Sequence, residues 1–373
     1  MTRRRKAAWL LLAVAAGTLA SLAGCSNLGY YWQSASGHLD LMRAARPVPQ
    51  WLADPSTSAA LRDKLALTQR MRRFAVTELA LPDNASYTGY ADLHRAAAVW
   101  NVVAAPPYSL KLKTWCFPVA GCVGYRGYYM EADALAEAAT QRAEGLEAGV
   151  YPVPAYSTLG WLDWAGGDPL LSTFIGYPEG ELARLMFHEL AHQVLYVPGD
   201  TAFNESYATA VERIGGARWL ATQASDAARA EYAQFDQRRQ QFRQLALETR
   251  RRLEAIYDTG EASNDVTRDW PRVDAQKQAA LEEFRARYAG LRAGWSGPQQ
   301  GAYDRWVARA NNAMFGAQAV YDDLVPAFEA LYEREGRDWQ RFHAAAAKLA
   351  KLPKNQREEA LKNMTYENGK PGV

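Results

Sequence analysis

Charge of one sign is scarce in this chain. Against 43 Lys+Arg stand 41 Asp+Glu, a formal net charge of +2. Four of the cations, Arg3, Arg4, Arg5 and Lys6, sit at the extreme N-terminus, and residues 1–24 hold no acid. Without that segment the balance is 39 − 41 = −2, so a nucleic-acid partner has no basic field to hold it. Cysteine is scarce too, at 3, and histidine stands at 5, so each can be asked for its task. What is present is ordinary: 49% apolar and 23% charged residues exclude disordered and fibrous chains. A length of 373 residues suits one large domain or two smaller ones with a sizeable core.

Residues 3–6 are a basic stretch, Ala7 to Gly24 is apolar, and the run stops at Cys25. This is the layout of a secretory signal; an uncleaved membrane anchor is the other reading. Leu22-Ala23-Gly24-Cys25 resembles the bacterial lipobox. That resemblance implies lipid on the Cys25 thiol, removal of 1–24, and acylation of the new amino group, which together hold a protein on a membrane. Ser26 points, by the same analogy, to the outer membrane, with the chain facing the periplasm. In an oxidising compartment Cys116 and Cys122, six apart across a turn-prone segment, read as a disulfide, with two buried thiols as the alternative. They are not a metal site, since no neighbouring His or third Cys completes one.

From Gly29 to about Gln50 the chain reads as a tether. Asp54–Thr57 opens a helix that ends before Pro82. Residues 86–130 are rich in Tyr, Val and Trp with Gly and Pro punctuation, and Leu110–Lys113 alternates; two or three strands are predicted, with the cysteines at a hairpin. A helix is predicted over 131–148, ending at Gly149, then an edge strand from Val150 to Leu159. Further helices are predicted over Glu181–Tyr196 and Thr201–Leu220. Beyond residue 222, Tyr232, Phe235, Phe242, Leu253 and Ile256 form a heptad-like seam broken at Arg239 and Thr249. Leu281, Phe284, Tyr288, Leu291 and Trp295 recur at 3,4,3,4. With turn-rich 258–271 between them, these predict a long antiparallel helical hairpin, open to a protein partner. Helices follow over 303–315, 322–335 and 337–351, and the charged tail after Pro353 reads as loose.

His188-Glu189-Leu190-Ala191-His192 is HExxH inside a segment that reads as helix on independent grounds. Positions i and i+4 put both imidazoles on one face, where they can share a zinc ion. Glu189 projects beside that face, placed to serve as general base toward a metal-bound water. His38, His94 and His343 stand alone and read as structural.

Asn204-Glu205-Ser206-Tyr207-Ala208 follows across the break at Pro198-Gly199. HExxH followed by NExxA resembles the gluzincin metallopeptidases. That resemblance implies Zn2+ held by His188, His192 and Glu205, with Glu189 as base; Glu212, two turns on, could orient a ligand. Tyr125-Arg126-Gly127-Tyr128-Tyr129, Ala155–Trp161, Asp168-Pro169-Leu170-Leu171, Asn311-Asn312-Ala313 and Tyr321 look like the bacterial family of putative aminopeptidases. The fold so implied is α+β, mainly helical: a zincin-like metallopeptidase core over 51–221 and 300–353 with a small β-sheet. The helical hairpin at 222–299 is inserted in it, after a signal at 1–24 and a tether at 25–50, with the loose tail at 354–373. The function implied is zinc-dependent hydrolysis of peptide bonds in the cell envelope, as an aminopeptidase. A zinc endopeptidase, or a lipid-anchored scaffold or chaperone without activity, are the alternatives. Tyr156, Tyr207 and Tyr321 are candidates to stabilise the oxyanion, with Tyr321 foremost. The Gly-x-Met-Glu-Asn signature of one large aminopeptidase family is absent.

Overall fold

The computed structural model describes residues 29–117, 121–155, 167–258, 269–296, 300–318 and 324–368. No described helix is long and apolar enough to cross a membrane. The fold is mainly helical with small sheets. Helix α1 covers 29–44, followed by β1 (Ala45–Pro47), α2 (Val48–Ala53) and α3 (Ala59–Leu79). Strands β2 (Gly89–Ala91), β3 (Val99–Ala105), β4 (Trp115–Phe117), β5 (Gly121–Val123) and β6 (Arg126–Tyr128) precede α4 (Glu131–Ala143), β7 (Glu147–Val153) and β8 (Leu170–Leu171). Then come α5 (Glu179–Val194), α6 (Thr201–Thr222), α7 (Asp226–Asp258) and α8 (Trp270–Ala293). The chain closes with α9 (Asp304–Arg309), α10 (Asn312–Gln318), α11 (Val325–Arg334), α12 (Trp339–Ala350) and α13 (Lys354–Asn368).

Among the described residues the sheets are three: β1-β2-β8, the antiparallel β6-β3-β7, and the β4–β5 hairpin. In that hairpin Cys116 and Cys122 face each other in register and their sulfurs are bonded. Among the described residues strand β7 pairs only with β3, so it is an edge, as Pro152 favours, and the 156–159 part of the expected strand lies outside those residues. Leu110–Lys113 departs from expectation and forms no strand. Strand β6 pairs β3 only over 100–102, and beyond it this alternating stretch crosses with one backbone bond, Lys113 N–H to Ala104 O at 2.8 Å, which is too few to make a ladder. Helix α4 also ends earlier than expected. Its chain turns at Gly145, whose φ of 85° suits glycine, and Gly149 lies inside β7.

Helices α7 and α8 are antiparallel. Arg252 pairs Glu283, Glu248 pairs Arg287, and Gln241 bonds Trp295, so numbers fall along one helix as they rise along the other. Their seam buries Phe242, Leu245, Leu253, Leu281, Phe284 and Tyr288. The first arm, 33 residues, is about 50 Å long at 1.5 Å per residue. The break at Thr249 is harmless, because its buried hydroxyl donates to Leu245 O at 2.9 Å. The break at Arg239 is where α7 changes partner: Arg239 donates to Glu181 of α5 at 2.6 Å.

The segment expected as a tether and the tail expected to be loose are both, where described, packed onto the core. The 25–50 tether, where described, is helix and strand, with Leu41 and Val48 buried in the main core. Residues 354–368 of the tail form α13, which buries Leu361. Arg357 explains its docking. It donates through Nη1 to Ala350 O and Leu352 O, and through Nε and Nη2 to Asp200, at 3.1 and 2.5 Å. Both side chains of that pair are 5% exposed. Removing one partner of such a pair strands the other charge, so Arg357→Ala should cost about 3–5 kcal/mol. Pairing it with Asp200→Asn, which keeps the helix cap, should recover part of that loss. Urea unfolding midpoints of both variants check this.

Candidate metal centre

Helix α5 starts after Pro178 with Glu179 and Glu181 in its first turn, where carboxylates suit the helix dipole. Leu182, Ala183, Met186, Phe187, Leu190 and Ala191 are buried and fix its rotation, which leaves His188 and His192 together on another face. The helix stops at Leu195, and Gly199, at φ 78°, turns the chain back. Asp200 caps α6 by accepting from Phe203 N–H at 3.3 Å. Asn204 clamps the turn twice, accepting from Val197 N–H and donating to Val197 O, both at 2.8 Å. Its neighbour Glu205 is thereby aimed at α5. Gly216 allows the two helices to close, since a Cβ there would lie 2.6 Å from Arg184 Cγ.

The three donors converge. His188 Nε2 and His192 Nε2 lie 3.1 Å apart, and Glu205 Oε2 lies 3.3 and 3.7 Å from them. One ligand atom from each lies within 4.8 Å of every other. A tetrahedron with ligands about 2.0–2.1 Å from its centre has edges of about 3.3 Å. The donor set, two imidazoles and a carboxylate, and its spacing therefore both fit zinc.

Behind His188 the supports are ionic. Its Nδ1 lies 3.0 Å from Glu212 Oε2. Glu212 accepts from Arg184, which also donates to Tyr232 at 2.9 Å. Burial would raise the Glu212 carboxyl, but Arg184 and His188 outweigh it and hold the pKa at about 2. Burial disfavours a proton on His188; Glu205 and Glu212 reverse that and lift it well above the ordinary imidazole value. A divalent cation would displace that proton. Glu205, though buried, is held below the usual range by His192 and His188. Glu189 is shifted the other way, upward, because burial outweighs the attraction of the two imidazoles. Glu181 is pushed to about 7 by burial, against the pull of Arg184. A cavity of about 810 Å³ opens behind His188 and Glu212, walled by α7 at Tyr232 and Asp236.

Of the expected tyrosines, Tyr207 is not at the centre's disposal. Its hydroxyl lies 2.7 Å from His343 Nδ1, and His343 Nε2 lies 2.9 Å from Leu79 O. A carbonyl can only accept, so Nε2 carries the proton and Tyr207 donates to Nδ1. His343 is thus structural, and His94 is largely exposed beside Asp92. Tyr156, Tyr321 and Cys25 lie outside the described residues. Sequence reasoning overlooked other tyrosines. Burial, and after it the negative charge of Glu205, raises the hydroxyls of Tyr125 and Tyr196; Tyr87 is raised by burial and by Glu189. Nothing in their spacing marks them; only Tyr125 sat in a stretch singled out from the sequence.

Two imidazoles and a carboxylate on adjoining helices, with a second carboxylate between the imidazoles, are the parts of a hydrolytic metal centre. The chain belongs to the family described as "Putative aminopeptidase", whose model matches residues 29–361. Membership supports a peptidase at that coarse level. No curated protein and no solved structure matches the chain.

Proposed function

We propose that the protein is a zinc-dependent peptidase of the gluzincin type with a zincin-like core. It cuts peptide bonds in the cell envelope from a lipid anchor at Cys25, on the periplasmic face of the outer membrane. The observation that carries this is the spacing of His188, His192 and Glu205 at tetrahedral edges, with Glu189 one residue from a ligand. Zinc, when bound, polarises the scissile carbonyl and lowers the pKa of water toward about 7. Glu189 takes a proton from the attacking water and passes it to the leaving amine; its raised pKa suits both halves of that task. Glu212 fixes the His188 ring from behind. Tyr321, a position included in the family resemblance, is the foremost candidate for the oxyanion donor.

Aminopeptidase action is the reading favoured by the family's description. The test is cleavage of matched peptides with free and acetylated N-termini by the purified, zinc-loaded protein. Free peptides should be shortened from the N-terminus and acetylated ones spared. Equal cutting of both would assign an endopeptidase. No cutting of either, with zinc bound, would favour the scaffold.

A further inference from the structure

The large apolar side chains that stand exposed among the described residues are not scattered. They are Tyr31, Trp32, Leu39, Leu52, Met130 and Leu135, with Trp32 75% and Met130 59% exposed. Three lie on α1 and two at the start of α4. Trp32, Ala35 and Leu39 follow one another at i, i+3 and i+7, a single helix face. The other side of α1 is firmly packed: Tyr30 stacks 5.5 Å from Phe117 and meets Tyr128 at 5.6 Å. The exposed stripe therefore belongs to a docked helix.

Helix α1 and the start of α4 are neighbours. Gln33 accepts from Tyr129 N–H at 3.2 Å, and Gly37 lies against the Tyr129 ring, where a Cβ would overlap it at 2.2 Å. Gln33, Gly37 and Met130 line one cavity of about 300 Å³. Those contacts come from the Gln33–Gly37 side of α1, so Met130 borders its packed side and the Trp32–Leu39 face stands open on the other. Singly exposed apolar residues need no explanation, but a cluster of them marks an interaction surface.

The chain length identifies the partner. Trp32 is only seven positions from Cys25, a reach of at most about 25 Å. A lipid on Cys25 holds this face, more than any other part of the chain, against the membrane. Trp and Tyr are the side chains that settle at a headgroup boundary, with an apolar body and a polar edge. The Asp and Arg side chains of α1, Asp40 and Arg43, cancel and give this face no attraction to anionic headgroups.

We propose that the Trp32–Leu39 face of α1 rests on a zwitterionic phospholipid surface and sets the orientation of the peptidase over the bilayer. This rests on the reading that Cys25 is lipidated. The full-length lipidated protein is reconstituted in phosphatidylcholine vesicles carrying a nitroxide-labelled lipid. Fluorophores are placed one at a time through Ala35→Cys and, as reference on α8, Ala289→Cys. Nitroxide quenching at 35 should exceed that at 289 at least threefold and be unchanged by salt. Adding Trp32→Ala and Leu39→Ala to the Ala35→Cys protein should abolish the excess while the protein still floats with the vesicles. A vesicle-bound protein quenched no more at 35 than at 289 overturns the proposal and leaves the anchor standing. So does protection of position 35 in a dimer formed without vesicles, which would assign the face to a second copy. A protein that fails to float, with an unmodified N-terminus by mass spectrometry, overturns both.

Discussion

Glu189→Gln should leave one equivalent of zinc bound and lower peptide turnover by about 10²- to 10⁴-fold, the range for a general base. The substitution keeps shape and hydrogen-bonding capacity but removes the lone pair that accepts the water proton. Glu189 is not one of the three converging donors, so the affinity for metal has no direct reason to change. Its upward-shifted pKa also sets the expected pH profile. A base raised above the ordinary carboxylate value is protonated, and idle, at higher pH than an exposed glutamate. At zinc concentrations that keep the site loaded at every pH, wild-type activity should therefore fall on acidification as Glu189 takes up its proton, and the variant should show no such limb. Metal content by atomic absorption and initial rates on one peptide decide the matter. A variant that loses its zinc, or one that keeps full turnover, removes Glu189 from the role of base.

The parts of this centre differ in how far the sequence discloses them, and the difference is one of range. His188 and His192 are one helical turn apart, so local periodicity suffices to place both rings on one face. Glu205 needs a turn of known geometry between two helices. Pro198-Gly199 announces a break, but the clamp of Asn204 on Val197, which sets the return angle, is a tertiary detail. The hairpin was legible because its seam repeats, and even its flaw at Arg239 carried information: there the helix leaves α8 and pairs with Glu181. Leu110–Lys113 misled because alternation describes a strand only where a ladder forms, and this stretch meets β3 through the single bond of Lys113 to Ala104. The tail misled because its docking depends on Leu361 and on Arg357 reaching Asp200, 157 positions away. No window of sequence holds that pair. The tyrosines around Glu205 and Glu189 are hidden for the same reason.

Replacing a ligand should produce the opposite pattern to Glu189→Gln. His192→Ala and Glu205→Ala should each lose most of the bound zinc, and with it all peptide cleavage, because two donors cannot hold the ion as three do. The loss is readable without any activity. Metal that binds only the folded state stabilises it by about 4 kcal/mol at a thousandfold excess over Kd. Zinc should therefore raise the melting temperature of the wild type and of Glu189→Gln by several degrees and leave the ligand variants unmoved. Glu212→Gln should sit between these extremes. Among the centre's residues its carboxylate touches only the far nitrogen of His188, so affinity should drop by about 10–100-fold, the usual scale for such a support. The pH dependence has a defined sign. His188 has its pKa raised by Glu205 and Glu212, so at neutral pH the metal must displace a proton from it. Apparent affinity should fall about tenfold per unit of acidification for each proton displaced. In Glu212→Gln one of the charges holding that proton is gone, so the fall should begin at lower pH than in wild type. Zinc titrations at pH 8, 7 and 6 on the three proteins separate the two effects, and a Glu205→Ala protein that stays fully loaded at pH 7 would exclude Glu205 as a ligand.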